Sequence, residues 1–152
     1  MKNGMSPKSY STTITVDRPA RDVFDVINEP RAWWWSDIEG QADEVGAVFV
    51  FDSTPDHVWR FRVTELVPAE KVVWRVFDSE TNFVHDRDEW NDTELTFELS
   101  GTDGATSVRF THVGLTADLE CFDSCSAGWT GYITDSLARL LTTGQGRPGG
   151  DH

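Results

Sequence analysis

Only a few side chains in this sequence are of types and spacings that do chemistry. They are His112, the pair Cys121 and Cys125, Tyr132, and the acidic run over 78–94. His112 alternates in phase with Val108 and Phe110, so its imidazole points to the same side as two apolar residues. There it reads as a polar anchor for a bound molecule or as a buried neutral imidazole satisfied by one neighbour. Cys121 and Cys125 are four apart in a helical pattern, which places both on one face as small buried residues and not as a disulfide. A nucleophilic pair of Cys125 and His112 needs a carboxylate to orient the ring, and no spacing supplies one. A structural zinc site wants four ligands and tight knuckle spacing, which a helical Cys-x-x-x-Cys lacks. His85, Asp86, Asp88 and Glu89 form the densest set of hard ligands, but Trp90 and the missing glycine break calcium-loop spacing, so the run reads as structural. The sequence therefore names no catalytic residue, no metal ligand and no cofactor.

The stronger signal is aromatic. The chain of 152 residues carries seven Trp and nine Phe. Trp33, Trp34 and Trp35 are consecutive on a helical turn and cannot all face one way, so at least one is expected to line an opening and act as a gate. The alternative is ordinary packing under the rim of a sheet.

Several elements must position these groups. The stretch 11–16 reads as an opening strand, and Asp17, Arg18 and Pro19 as a helix start capped by Asp17. That helix carries Val23, Phe24 and Ile27 on one stripe and stops before Pro30, and a short second helix spans 32–35. From 39 to 115 the pattern is successive strands. Gly46 opens 47–52, with Thr54, Pro55 and Asp56 as a turn, and 58–67 alternates Trp59, Phe61 and Val63 against Arg60, Arg62 and Thr64. Val72, Trp74 and Val76 alternate in the next strand, and 78–92 reads as a long acidic connection. The segment 93–99 has the cleanest period of two, and 101–104 turns it into a hairpin with 107–112. Beyond Leu115 the period turns helical through Phe122, Ser126, Trp129, Ile133, Leu137 and Leu140, about six turns. Gly128 and Gly131 interrupt this helix, which is explained by close approach to a sheet or to a ligand, and Gly144 ends it.

Helices segregated to one face of an antiparallel sheet make an α+β fold. Residues 10–144 are expected to form a single domain, with 1–9 and 145–152 as flexible tails. A formal charge of -13 repels phosphate backbones and anionic headgroups, so neither nucleic acid nor an acidic membrane is an expected partner. No membrane span or signal-type apolar run is present, which makes the cytoplasm the expected compartment. The acidic stretch 78–94 sets seven carboxylates against Arg87 and reads as a solvated loop or as a docking site for a cationic partner.

Four strings carry a family resemblance. They are Val73-Trp74-Arg75-Val76 with Asp78-Ser79, then Asp88-Glu89-Trp90 leading into Thr93-Glu94-Leu95-Thr96-Phe97-Glu98, then Phe110-Thr111-His112 with Gly114-Leu115, and Cys121-x-x-x-Cys125-x-x-Gly128-Trp129. Together with the order of elements they resemble the START/Bet v 1-like (SRPBCC) superfamily, in the branch similar to the activator of the 90-kDa heat-shock protein ATPase. The resemblance covers 12–144. It implies a helix-grip fold: a curved antiparallel sheet wrapped around a long C-terminal helix, with two short helices after the first strand. It also implies a cavity between sheet and helix for a hydrophobic or amphipathic small molecule. Phe49, Phe51, Trp59, Phe61, Trp74, Phe97, Phe110, Trp129 and Ile133 are the expected walls, Trp34 is expected to touch the guest with them, and the indoles of Trp33, Trp34 and Trp35 are the expected gate. Cys125 is expected beside them, with His112 and Tyr132 as polar anchors. The same family includes chaperone ATPase activators and cyclase- or hydrolase-like enzymes, so a chaperone is an alternative partner and catalysis an alternative activity. The protein is expected to be a monomer or a dimer.

Overall fold

The computed structural model describes residues 9–35, 38–53, 57–81, 90–102, 104–117 and 119–146. Strand β1 (Tyr10–Val16) buries Ile14 and Val16 and leaves Ser11, Thr13 and Thr15 outside, as a sheet wet on one face requires. Helix α1 (Ala20–Ile27) turns Val23 and Ile27 inward. Asp17 does not cap it, contrary to the sequence reading: the N-cap is Pro19, in extended geometry and without a side-chain cap bond. Pro30 does end α1, but it also opens α2 (Pro30–Trp33), since proline is favoured in a helix's first turn. The second helix is therefore displaced toward the N-terminus from 32–35.

Strands β2 (Glu39–Gly40), β3 (Val48–Ser53), β4 (His57–Val67), β5 (Lys71–Thr81), β6 (Glu94–Thr102) and β7 (Ala105–Val113) follow. All neighbours are antiparallel in one curved seven-stranded sheet of order β1-β7-β6-β5-β4-β3-β2. Alternation sets its inner face: Phe49 and Phe51, Trp59, Phe61 and Val63, Trp74 and Val76, Leu95, Phe97 and Leu99, and Val108, Phe110 and His112 are all buried. Strand β5 runs through Asp78 to Thr81, each paired to β4, so the acidic connection begins four residues later than its composition indicates. His85, Asp86, Asp88 and Glu89 lie outside the described residues, as do Thr54, Pro55 and Asp56. Where that acidic stretch is described, Asp78 pairs with Arg60 at 2.7 Å and Asp92 with Arg75 at 2.8 Å. Gly40 takes φ +97° where β2 crosses β3, and a Cβ there would collide with the Val48 carbonyl.

The closing helix is a rod in three registers: α3 (Phe122–Thr130), a π-helical segment (Gly131–Leu137) and α4 (Ala138–Thr143). Its buried positions explain the widening. Cys121, Cys125, Trp129, Ile133, Leu137 and Leu141 recur every four residues. An α-helix turns once in 3.6 residues, so each such step overshoots by about 40° and five steps would carry the stripe about half a turn around. Wider π winding takes up that drift and keeps the stripe on the sheet. As a result Leu141 is fully buried, while Leu140 from the three-and-four pattern is only partly so. Gly144 closes the rod at φ +85°. Among the described residues no helix is long and apolar enough to cross a membrane.

Candidate functional site

Between sheet and rod the described rings pack on one another along much of the space where a hollow was expected. Trp33 and Trp34 stack at 6.1 Å, Trp34 meets Trp129 at 4.7 Å, and Phe110 meets Trp129 at 4.6 Å. Trp74 sits edge-on to Phe49 at 4.9 Å and to Phe97 at 5.0 Å, while Phe49 stacks on Phe61 at 4.9 Å. Phe49, Phe61, Trp74, Phe97, Phe110 and Ile133, all expected as cavity walls, are fully buried in mutual contact. Rings of this size interdigitate as readily as they line a void, because offset and edge-on contacts are favourable. The indole Nε1 of Trp74 has no acceptor among the described residues.

An opening survives at one end of the grip. Trp34 and Trp35, Phe51, Trp59, Trp90, and Cys125, Gly128, Trp129 and Tyr132 of the rod enclose a cleft of about 110 Å³. Of the sequence-derived site residues it gathers Trp34, Phe51, Trp59, Cys125, Trp129 and Tyr132. Of the three consecutive indoles, Trp33 and Trp34 are buried, whereas Trp35 is half-buried at the mouth, against Phe51 at 4.6 Å. Its indole Nε1 is a donor without an acceptor among the described residues.

Gly128 is one of the residues that line the cleft. A Cβ built there meets nothing within 4 Å, and the same holds at Gly131. The glycines therefore do not mark close approach of rod to sheet, and Gly128 instead leaves a side-chain volume empty beside the cleft. Trp35, Trp90 and Gly128 were missing from the sequence-derived set. Trp90 lies in a turn, outside any strand's alternation, yet it stacks on Trp59 at 3.7 Å and is buried. Its only sequence signal was the string Asp-Glu-Trp itself.

His112 is held on both nitrogens. The Trp129 Nε1–H donates to Nδ1 at 3.0 Å, which an indole can do only if that nitrogen is unprotonated. The proton is therefore on Nε2, which donates to Thr93 Oγ1 at 2.9 Å, and the Thr93 hydroxyl donates onward to the Trp90 carbonyl at 2.6 Å. Trp90 lies edge-on to the imidazole at 4.6 Å, and its own Nε1–H donates to Cys121 Sγ at 3.3 Å. Full burial lowers the His112 pKa from 6.5 to about 3, so the ring is neutral at physiological pH. With both nitrogens engaged it orients Trp129 and Trp90, two walls of the cleft, and is not itself among the residues that line it. Tyr132 is half-buried at the rim, and burial raises its phenol pKa above the usual value. Cys121 and Cys125 are buried and not in a disulfide. Among the described residues no three His, Cys, Asp or Glu side chains gather as metal ligands.

Comparison with known proteins agrees with the architecture. A family model described as Activator of Hsp90 ATPase homolog 1-like protein matches residues 17–142. The solution structure of the Aha1 dimer from Colwellia psychrerythraea superposes with a TM-score of 0.71 at 26% identity, covering 91% of this chain and 98% of that one. DynU16, a protein in the dynemicin biosynthetic locus, superposes with a TM-score of 0.70 at 18% identity, covering 93% of this chain and 49% of its own. CalU16 from Micromonospora echinospora gives 0.63 at 13% identity, with 88% and 74% covered. The last two likenesses are of fold. Comparison with curated proteins finds none that matches.

Proposed function

We propose, from the premise that this chain belongs to the Activator of Hsp90 ATPase homolog 1-like family, that it binds a small amphipathic molecule by its apolar end. The observation that carries this reading is the aromatic cleft between the sheet end and the rod, with Gly128 in its lining. Its volume of about 110 Å³ decides the kind of guest. Cavities that swallow whole drug-sized ligands run to roughly 300–1,000 Å³, whereas a void of about 150 Å³ holds one benzene. The cleft therefore seats a single ring or a short alkyl end. Burying on the order of 100 Å² of it yields about 2.5 kcal/mol, far below the roughly 8 kcal/mol of micromolar affinity. The rest of the molecule must contribute from outside, along the rim. There the half-buried Trp35 and Tyr132 flank the opening, and a guest that keeps its polar part in water beside them is an amphipathic one. The same reading takes residues 10–144 as one domain, a span the family match nearly fills, in a cytoplasmic protein that is a monomer or a dimer.

The experiment is a titration with 1-anilinonaphthalene-8-sulfonate, which carries a flat apolar end and an acceptor group. Saturable binding that quenches tryptophan emission, and is at least tenfold weaker in Gly128→Leu, is the expected result. Equal binding by Gly128→Leu sinks the reading.

A second reading is favoured by the family match and by the 26% identical Aha1 relative: an interaction module that stimulates a chaperone ATPase, its cleft taking an apolar side chain of the partner. Stimulation of a 90-kDa heat-shock protein's ATPase by wild-type protein and not by Gly128→Leu would select it. A cyclase or hydrolase finds less here. The cleft's lining is almost wholly apolar, and among the described residues no carboxylate or histidine lines it.

A further inference from the structure

A second concavity lies on the other side of α2, away from the aromatic cleft. It is a groove of about 440 Å³ between the α1–α2 junction and the β2–β3 connection, within the size range of small-molecule sites. Its apolar surface includes Pro30, Ile38 and Ala42, and its polar groups are Asn28, Glu29, Arg31, Gln41 and Asp43.

Asn28 is the odd residue among them. It is 8% exposed, and its Nδ2 donates to the Phe24 carbonyl at 3.1 Å, which fixes the amide's orientation at the end of α1. The other end, Oδ1, is shielded from bulk water and accepts from nothing among the described residues. A buried acceptor left unmet is costly, so a donor is the missing partner. The charges around it agree in sign. Glu29 and Asp43 are exposed carboxylates with no cationic partner within 4.0 Å among the described residues, and α1 has no basic residue in its last turn to offset the negative end of its dipole. Arg31, the groove's one cation, is turned aside: its Nη1 donates to the Ile38 carbonyl at 2.6 Å and to the Gly40 carbonyl at 3.0 Å, tying α2 to β2.

We infer that this groove is a second binding site, for a small organic cation: a primary ammonium on a short aliphatic stem. The ammonium donates to Asn28 Oδ1 and meets the Glu29 and Asp43 carboxylates, and the stem lies along Pro30, Ile38 and Ala42. An ammonium suits the site because it offers three donors and no acceptor, the complement of an amide oxygen beside carboxylates. This inference is independent of the aromatic cleft.

The test is an amide chemical-shift titration with 1,4-diaminobutane, with n-butanol and butyrate as controls of matched stem. It is run at about 0.15 M salt, where attraction to the net charge of -13 is screened beyond roughly 8 Å. Saturable shifts confined to residues 28–43 and to Phe49 are expected with the diamine and with neither control. Glu29→Gln and Asp43→Asn, both surface changes, are each expected to weaken binding severalfold. Asn28→Leu is expected to weaken it about tenfold, the usual worth of a hydrogen bond to a charged group. Unsaturated shifts spread over the acidic surface would overturn the inference, as would saturation by butyrate or butanol. So would diamine binding that Glu29→Gln and Asp43→Asn leave unchanged, a criterion that holds even where Asn28→Leu does not fold.

Discussion

Two aromatic regions share one rod and end as opposites. Around Trp74 the rings of Phe49, Phe97 and Trp33 close on one another, in the same buried cluster as Ile133 and Leu137. At the mouth, Phe51, Trp59, Trp90 and Trp35 are as aromatic, yet a cleft persists there, and between Cys125, Trp129 and Tyr132 the rod presents Gly128, which adds no side chain. Aromatic content thus does not decide between core and pocket. The decision rests on what the opposing element supplies at each turn.

The largest effect that would sharpen this contrast comes from the closed region. Trp74→Ala is expected to cost about 3–5 kcal/mol in urea unfolding, since a fully packed site cannot collapse around so large a loss. Trp74→Phe should cost clearly less, because it also removes the indole N–H that lacks an acceptor. Trp35→Ala, at the half-open mouth, should cost less than either. If Trp35→Ala destabilises as much as Trp74→Ala, the two regions do not differ.

Next comes His112, which joins the regions through Trp129 and Trp90. His112→Phe leaves the Trp129 Nε1–H without its acceptor and is expected to cost about 1–3 kcal/mol at neutral pH. It should also change the pH dependence. The folded imidazole resists protonation down to about pH 3, while the unfolded one takes a proton near 6.5. Stability from this group is thus complete above pH 6.5 and is lost as pH falls through the window below it, by up to about 1.4 kcal/mol per pH unit. Between pH 6.5 and 5 the wild type should lose stability more steeply than His112→Phe. Parallel curves would mean that the imidazole is not buried neutral.

Smaller still is Ser136→Ala. The Ser136 hydroxyl donates to the Trp33 carbonyl at 2.6 Å and ties the π-helical segment to α2, so its loss should cost about 1 kcal/mol by the same unfolding assay. Gly128→Leu is the smallest in stability, within about 1 kcal/mol and on the favourable side through helix propensity, while it removes the cleft.

Much of the fold was legible because strands write their faces at a strict period. Leu95, Phe97 and Leu99 on β6, with Val108, Phe110 and His112 on β7, point inward as their alternation demands. The site was legible only in part. Period tells which way Trp74 or Phe97 points, but not whether the rings opposite touch it, so a hollow and a packed cluster of rings have the same sequence pattern. Trp35 and Trp90 lie beyond the end of α2 and in a turn, where no period applies. The π winding was written in the every-four repeat from Cys121 to Leu141, although a three-and-four template assigns Leu140 to the stripe in its place. The orphaned Oδ1 of Asn28 left no trace in the sequence at all, because an unmet acceptor is a property of neighbours.

The central claim, a closed interior beside an open mouth, is tested most directly by a crystal structure under xenon pressure, because xenon fills dry apolar voids without needing polar partners. Xenon density between Phe51, Trp90 and Gly128, with none between Trp74 and Ile133, is the predicted result. Density at the centre of the grip, or an empty mouth, would contradict it.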